Sequence, residues 1–119
     1  MRQRVIAVDF DGVLHSYVRK WTGDVPEDPP VPGAQDFIDE LLGLGYGVII
    51  FSHRAHTKAG EQGIRQWLKD HDFPPLRVTD MKPAAEVYVD DRAFRFEGDF
   101  KKVIKFIESP AAEPWTTRD

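Results

Sequence analysis

Three stretches of this sequence have an unbroken apolar middle and then reach polar or acidic residues. Arg4 to Phe10 reads RVIAVDF, Tyr46 to Phe51 repeats the pattern, and Glu86 to Val89 repeats it in shorter form before Asp90 and Asp91. A run without polar alternation fits a strand buried on both faces, which is the environment of a parallel sheet. Between the first two runs lies PGAQDFIDELLGLG, where Phe37, Ile38, Leu41, Leu42 and Leu44 recur at helical spacing, with Pro32 at the start and Gly43 or Gly45 at the stop. A second helix is predicted over Lys58 to Asp70, with Ile64, Trp67 and Leu68 inward and its first turn weakened by Gly60 and Gly63. Pro74-Pro75 ends that segment, and a short strand is expected from Leu76 to Val78. Asp99 to Glu108 predicts a last helix that turns Val103, Ile104, Phe106 and Ile107 to the core. Strands alternating with helices imply an α/β fold, a doubly wound and mainly parallel sheet under helices on both faces. Residues 1–109 are expected to form one domain, and 110–119 an irregular tail.

Composition narrows the chemistry. The 119 residues are 41% hydrophobic and 30% charged, which suits one folded domain and not a disordered chain. There is no Cys, so thiol nucleophiles, thiolate metal sites and disulfides are excluded, and a cytoplasmic setting is expected. Any metal must be held by oxygen or histidine. No stretch approaches the roughly 20 apolar residues of a membrane span, and the first residues lack a signal-peptide layout, so neither membrane insertion nor secretion is expected. Sixteen Lys and Arg against twenty Asp and Glu give a net charge of −4, so no global basic field draws the chain to nucleic acid.

In such a sheet, ligands bind beyond the C-terminal ends of the strands. The residues there are Asp9 and Asp11 after the first run, Ser52, His53 and Arg54 after the second, and Asp90 and Asp91 after the last. In DFDGVL the spacing of two puts Asp9 and Asp11 on one side of an extended backbone, and Gly12 permits a sharp turn next. Taken alone, each pair reads equally as a strand-ending Asp beside a turn Asp, or as half of a charged site. Two acidic pairs on one rim repel unless a cation lies between them, and oxygen donors without thiols point to magnesium. Lys82 can reach the same rim or stand as a surface lysine. Ser52 can hold a phosphate oxygen or serve as a turn residue, and the planar fork of Arg54 suits phosphate.

Taken in order, these residues resemble the haloacid dehalogenase superfamily of aspartate-nucleophile phosphatases. Asp9 to Leu14, DFDGVL, is similar to its first motif, Ser52 after VIIF to its second, Lys82 to its third, and Asp90-Asp91 after VYV to its fourth. The resemblance implies a Rossmann-like core, Asp9 as nucleophile and Asp11 as general acid and base. It also implies Mg2+ held by the Asp9 carboxylate, the Asp11 backbone carbonyl and Asp90, with Ser52 and Lys82 on the transferring phosphoryl group. Asp91 would orient Lys82 or a metal-bound water.

Cap domains of that superfamily are inserted after the first motif or between the second and third. Here both intervals are short, so the resemblance implies a capless member with only a flap after the first strand. Ser52-His53-Arg54 and Asp90-Asp91-Arg92 resemble segments of polynucleotide kinase 3′-phosphatase domains. Arg54 would then touch the substrate phosphate, with His53 beside it, and Arg92 would brace the acidic pair or a nucleic-acid backbone. The flap, LHSYVRKWTGDV, mixes Tyr17 and Trp21 with His15, Arg19 and Lys20, which fits either a nucleotide-holding surface or a self-packed hairpin. The expected partner is a phosphorylated substrate, either a nucleic-acid end or a nucleotide, with a sugar or other metabolite phosphate as the alternative. Phospho-receiver domains share the length and fold, but there the acidic pair comes first, whereas here Lys82-Pro83 precedes Asp90-Asp91. A catalytically silent binding module on the same fold is the third reading. No reading fixes the oligomeric state.

Overall fold

The aliphatic and β-branched residues of the first apolar run form Val5–Asp9 (β1), a central strand of the sheet. The computed structural model of the chain describes residues 3–18, 23–90 and 95–109. After β1 come Ala34–Gly43 (α1), Gly47–Phe51 (β2), a single 3₁₀ turn at His53–His56, and Lys58–Asp70 (α2). Arg77–Thr79 (β3), Val87–Val89 (β4) and Phe100–Ile107 (α3) complete the described elements. The four strands lie in the order β3-β2-β1-β4, and every pair is parallel. The α/β, mainly parallel architecture expected from the alternation is thus observed, and α2 has the predicted bounds.

From β1 to β2 to β3 the chain steps outward in one direction, so right-handed crossovers put α1 and α2 on the same face. The buried cluster agrees, because Ile6, Val8, Val48, Ile50 and Val78 pack with Ile38 of α1 and with Ile64, Trp67 and Leu68 of α2. On the other face the rings of Phe51 and Tyr88, from the strands flanking β1, meet edge to face at 6.4 Å. Ala7 between those strands is fully buried.

The last helix differs from expectation. Asp99 caps it, its Oδ1 accepting from the Lys101 N–H at 2.9 Å, but α3 buries none of its residues. Val103 and Phe106 are half-buried, Ile104 and Ile107 are exposed, and Phe100 is 75% exposed. Helical periodicity records that an apolar face exists and carries no information on which surface covers it.

Gly60 and Gly63 turn out to serve packing. A Cβ on Gly60 would lie 1.8 Å from the Arg54 carbonyl oxygen, and one on Gly63 would lie 1.9 Å from that of Asp24. The first turns of α2 therefore run directly against the 3₁₀ turn and the flap backbone, an approach only a residue without Cβ permits. Gly63→Ala is expected to lower stability by about 1–3 kcal/mol despite the better helix propensity of Ala. A lower urea midpoint with an unchanged slope checks this.

The flap is tied at its base. Ser16 N–H donates to Pro29 at 3.0 Å, Val31 N–H donates to Leu14 at 2.7 Å, and the Trp67 indole N–H donates to the Asp28 carbonyl at 2.8 Å. Among the described residues no helix is long and apolar enough to cross a membrane.

Candidate active site

The parallel pairing decides which predicted residues meet. Val8 pairs with Val89 across β1 and β4, so Asp9 and Asp90 follow one step beyond, side by side at the C-terminal end of the sheet. Both are half-buried. Asp9 also pairs with Phe51 of β2 and shares its face by strand alternation. Asp9 Oδ1 accepts from the Phe10 N–H at 2.8 Å, which fixes the carboxylate at the strand end.

Asp11 lies in a tight loop that Gly12 makes possible. Gly12 has φ of 85° and donates its N–H to the His15 carbonyl at 2.8 Å, while the Phe10 carbonyl accepts from Val13, Leu14 and His15. The loop folds His15 back over its own start, and His15 Nδ1 meets Asp11 Oδ1 at 2.7 Å. From the second strand end, Arg54 Nε donates to Asp11 Oδ2 at 2.8 Å. Each carboxylate oxygen thus has one N–H partner, and the Asp11 side chain keeps 24% exposure toward solvent. A carboxylate offers about four lone-pair sites, so two remain for a proton or water.

The resemblance aims the Arg54 fork at a substrate phosphate. In the structure Arg54 is 3% exposed, its Nη1 donates to the Gly23 carbonyl at 3.1 Å, and the Tyr17 ring centroid is 5.5 Å from its Cζ. A guanidinium held on those partners faces Asp11 and the flap. His15, read as part of the flap surface, is likewise buried. The signal that could have found it is the Asp11-to-His15 spacing of four across an obligatory glycine turn.

Ser52 is buried at the end of β2, where its N–H donates to Thr79 at 2.9 Å. Its Oγ accepts the Arg54 N–H at 3.2 Å and caps the 3₁₀ turn, a bond that leaves the hydroxyl hydrogen available for donation. His53 is exposed, with its ring stacked 5.9 Å from that of His56. His56 in turn lies 3.4 Å from Asp80. Lys82 Nζ stands 4.3 Å from the Tyr88 ring centroid and 6.0 Å from that of Phe51. Those rings belong to the Asp9 face, so the ammonium is held at the rim by cation–π attraction. Tyr88 is itself anchored, its hydroxyl donating to the Pro83 carbonyl at 2.6 Å. Asp91 and Arg92 lie outside the described residues, as do Arg19, Lys20 and Trp21 of the flap.

The donor set bears on magnesium. Among the described residues no three carboxylate or imidazole side chains cluster closely enough to cage a metal on their own. Magnesium does not need such a cage, since it takes one or two carboxylates with water and phosphate oxygens. The carboxylates of Asp9 and Asp90 fit that requirement. The Asp11 carboxylate faces His15 and Arg54, and the bonds that close the loop use the carbonyls of Phe10 and His15.

No family model matches the sequence, and no curated protein matches it. Among solved structures the chain is similar to D,D-heptose 1,7-bisphosphate phosphatase from Burkholderia thailandensis, with 17% identity and a TM-score of 0.42. The match covers 65% of this chain and 52% of that one, so the chain spans about half of that protein's length.

Proposed function

We propose that this chain is a magnesium-dependent phosphomonoester hydrolase that works through an aspartyl-phosphate on nucleic-acid 3′-phosphate ends or nucleotides. The observation that carries the reading is the different placement of three carboxylates. Asp9 and Asp90 stand together at the ends of adjacent parallel strands, while Asp11 is held apart by N–H donors on both oxygens. That placement supports Asp9 as nucleophile and Asp11 as acid-base group.

In the proposed reaction the Asp9 carboxylate attacks phosphorus, the bond to the leaving oxygen breaks, and Asp11 delivers a proton to that oxygen. A water then attacks the aspartyl-phosphate, Asp11 takes its proton, and inorganic phosphate leaves with Asp9 restored. Ser52 and Lys82 would hold the phosphoryl oxygens, whose charge must be stabilised in the transition state. Magnesium, held by Asp9, Asp90 and the Asp11 carbonyl, would shield the approach of one anion to another.

The choice of substrate rests on access. Between Ser52 and Lys82 the chain holds only the 3₁₀ turn, α2 and β3, and the flap base is pinned to α2. Nothing in that interval folds over the rim as a lid. His53, His56 and Lys58 are exposed beside Ser52, where a strand leading away from a terminal phosphate would lie.

The test is phosphate release, with magnesium and with chelator, from 3′- and 5′-phosphorylated oligonucleotides, nucleoside monophosphates and sugar phosphates. Magnesium-dependent release, fastest from 3′-phosphorylated ends, is expected. Faster turnover of sugar phosphates than of any oligonucleotide would make the chain a metabolite phosphatase. No release from any substrate would leave a silent binding module.

A further inference from the structure

The His15 side chain is 1% exposed and polar at both ends of its ring, which sets it apart from the apolar groups around it. Its ring stacks on Phe10 at 5.2 Å and meets the Trp67 ring edge to face at 5.6 Å. Nε2 lies 3.0 Å from the Asp28 backbone nitrogen. A backbone N–H can only donate, so Nε2 must accept, and in the neutral ring the proton is on Nδ1. Nδ1 then donates to Asp11 Oδ1 at 2.7 Å. The Asp28 carbonyl accepts the Trp67 indole N–H, so one hydrogen-bonded chain runs from α2 through the flap to the proposed acid-base group.

We propose that His15 is a positioning residue for Asp11: held as the Nδ1–H tautomer by the Asp28 backbone, it fixes the Asp11 carboxylate in the orientation that proton transfer requires. The proposal deepens the hydrolase reading and rests on it for its kinetic consequences. Arg54 constrains the other Asp11 oxygen, so both oxygens are set from opposite sides. Proton transfer in a positioned site degrades steeply with small displacements, and losing a group that orients a catalytic residue typically costs about ten- to a hundredfold.

Two amide substitutions separate this role from packing. In His15→Asn the side-chain nitrogen falls near the place of Nδ1, so a donor to Asp11 is kept while the acceptor for Asp28 is lost. In His15→Gln the amide reaches the place of Nε2, so an acceptor for Asp28 is kept while the donor to Asp11 is lost. Both remove the same ring from Phe10 and Trp67. On a phosphorylated substrate with magnesium, His15→Gln is expected to lower kcat about ten- to a hundredfold with KM unchanged, and His15→Asn to recover most of that loss. Equal kcat in two folded variants would overturn the proposal.

A measurement independent of turnover accompanies the kinetics. Nitrogen-15 and proton NMR of the imidazole in the intact chain should show the proton on Nδ1, and Asp11→Ala should shift that signal. A proton on Nε2, or a signal indifferent to Asp11, rules the proposal out even if the chain hydrolyses nothing. An inactive wild-type chain with the expected NMR signature would instead sink the hydrolase reading and leave the contact standing. If neither amide variant folds, the same NMR test on the wild type and on Asp11→Ala decides.

Discussion

Asp9→Asn is expected to abolish phosphomonoester hydrolysis, a loss of about 10⁴-fold or more in kcat, with the thermal transition left in place. The amide oxygen of Asn can still accept the Phe10 N–H that Asp9 Oδ1 accepts at 2.8 Å, so the strand end keeps its local bond. What is lost is the proposed anionic nucleophile. Steady-state release of phosphate and a melting curve measure the two halves of the expectation. Acid quenching of the wild-type chain during turnover should also trap a phosphoprotein, and the Asn variant should yield none. A variant that retains full activity would remove Asp9 from the nucleophile's role.

The second large effect concerns Trp67. Its side chain is buried against Phe10, His15 and Phe73, and its indole N–H holds the Asp28 carbonyl. Trp67→Ala is expected to cost about 3–5 kcal/mol, because the site can collapse only partly around the missing ring. Folded domains have roughly 5–15 kcal/mol in total, so this change alone takes a large share. Trp67→Phe keeps most of the apolar contact and loses the indole donor, a difference of about 1 kcal/mol. Denaturant titration of both variants separates the two contributions. Because Asp28 connects Trp67 to His15, the Phe variant should also lower kcat more than a remote core change of equal destabilisation.

Much of the framework could be read directly. RVIAVDF has no polar alternation, and only a strand covered on both sides accepts that, so β1 in a parallel sheet followed. The acids closing the first and last runs marked the rim, because strand ends are where a buried segment first meets water. Other features depended on the path of the chain in space. Arg54 and His15 are charged or polar types that usually face solvent, and although the spacing of four hints at His15, nothing local shows that Arg54 reaches Asp11 from 43 residues away. Gly60 and Gly63 looked like weak points of a helix, since the backbones of Arg54 and Asp24 that press on them are distant or lie in a loop. The apolar stripe of α3 was legible as a stripe, but its covering surface was not.

The register of β4 sets the order in which these groups can assemble. Ile6 pairs with Val87 and Val8 with Val89, so closing β1 against β4 joins residues 81 positions apart. A chain extended only through α2 already includes Asp9, Asp11, His15, Ser52 and Arg54. It still lacks Lys82 and Asp90. The proposed nucleophile and acid therefore precede the ammonium and the second carboxylate along the chain, and the proposed site is complete only once β4 pairs with β1.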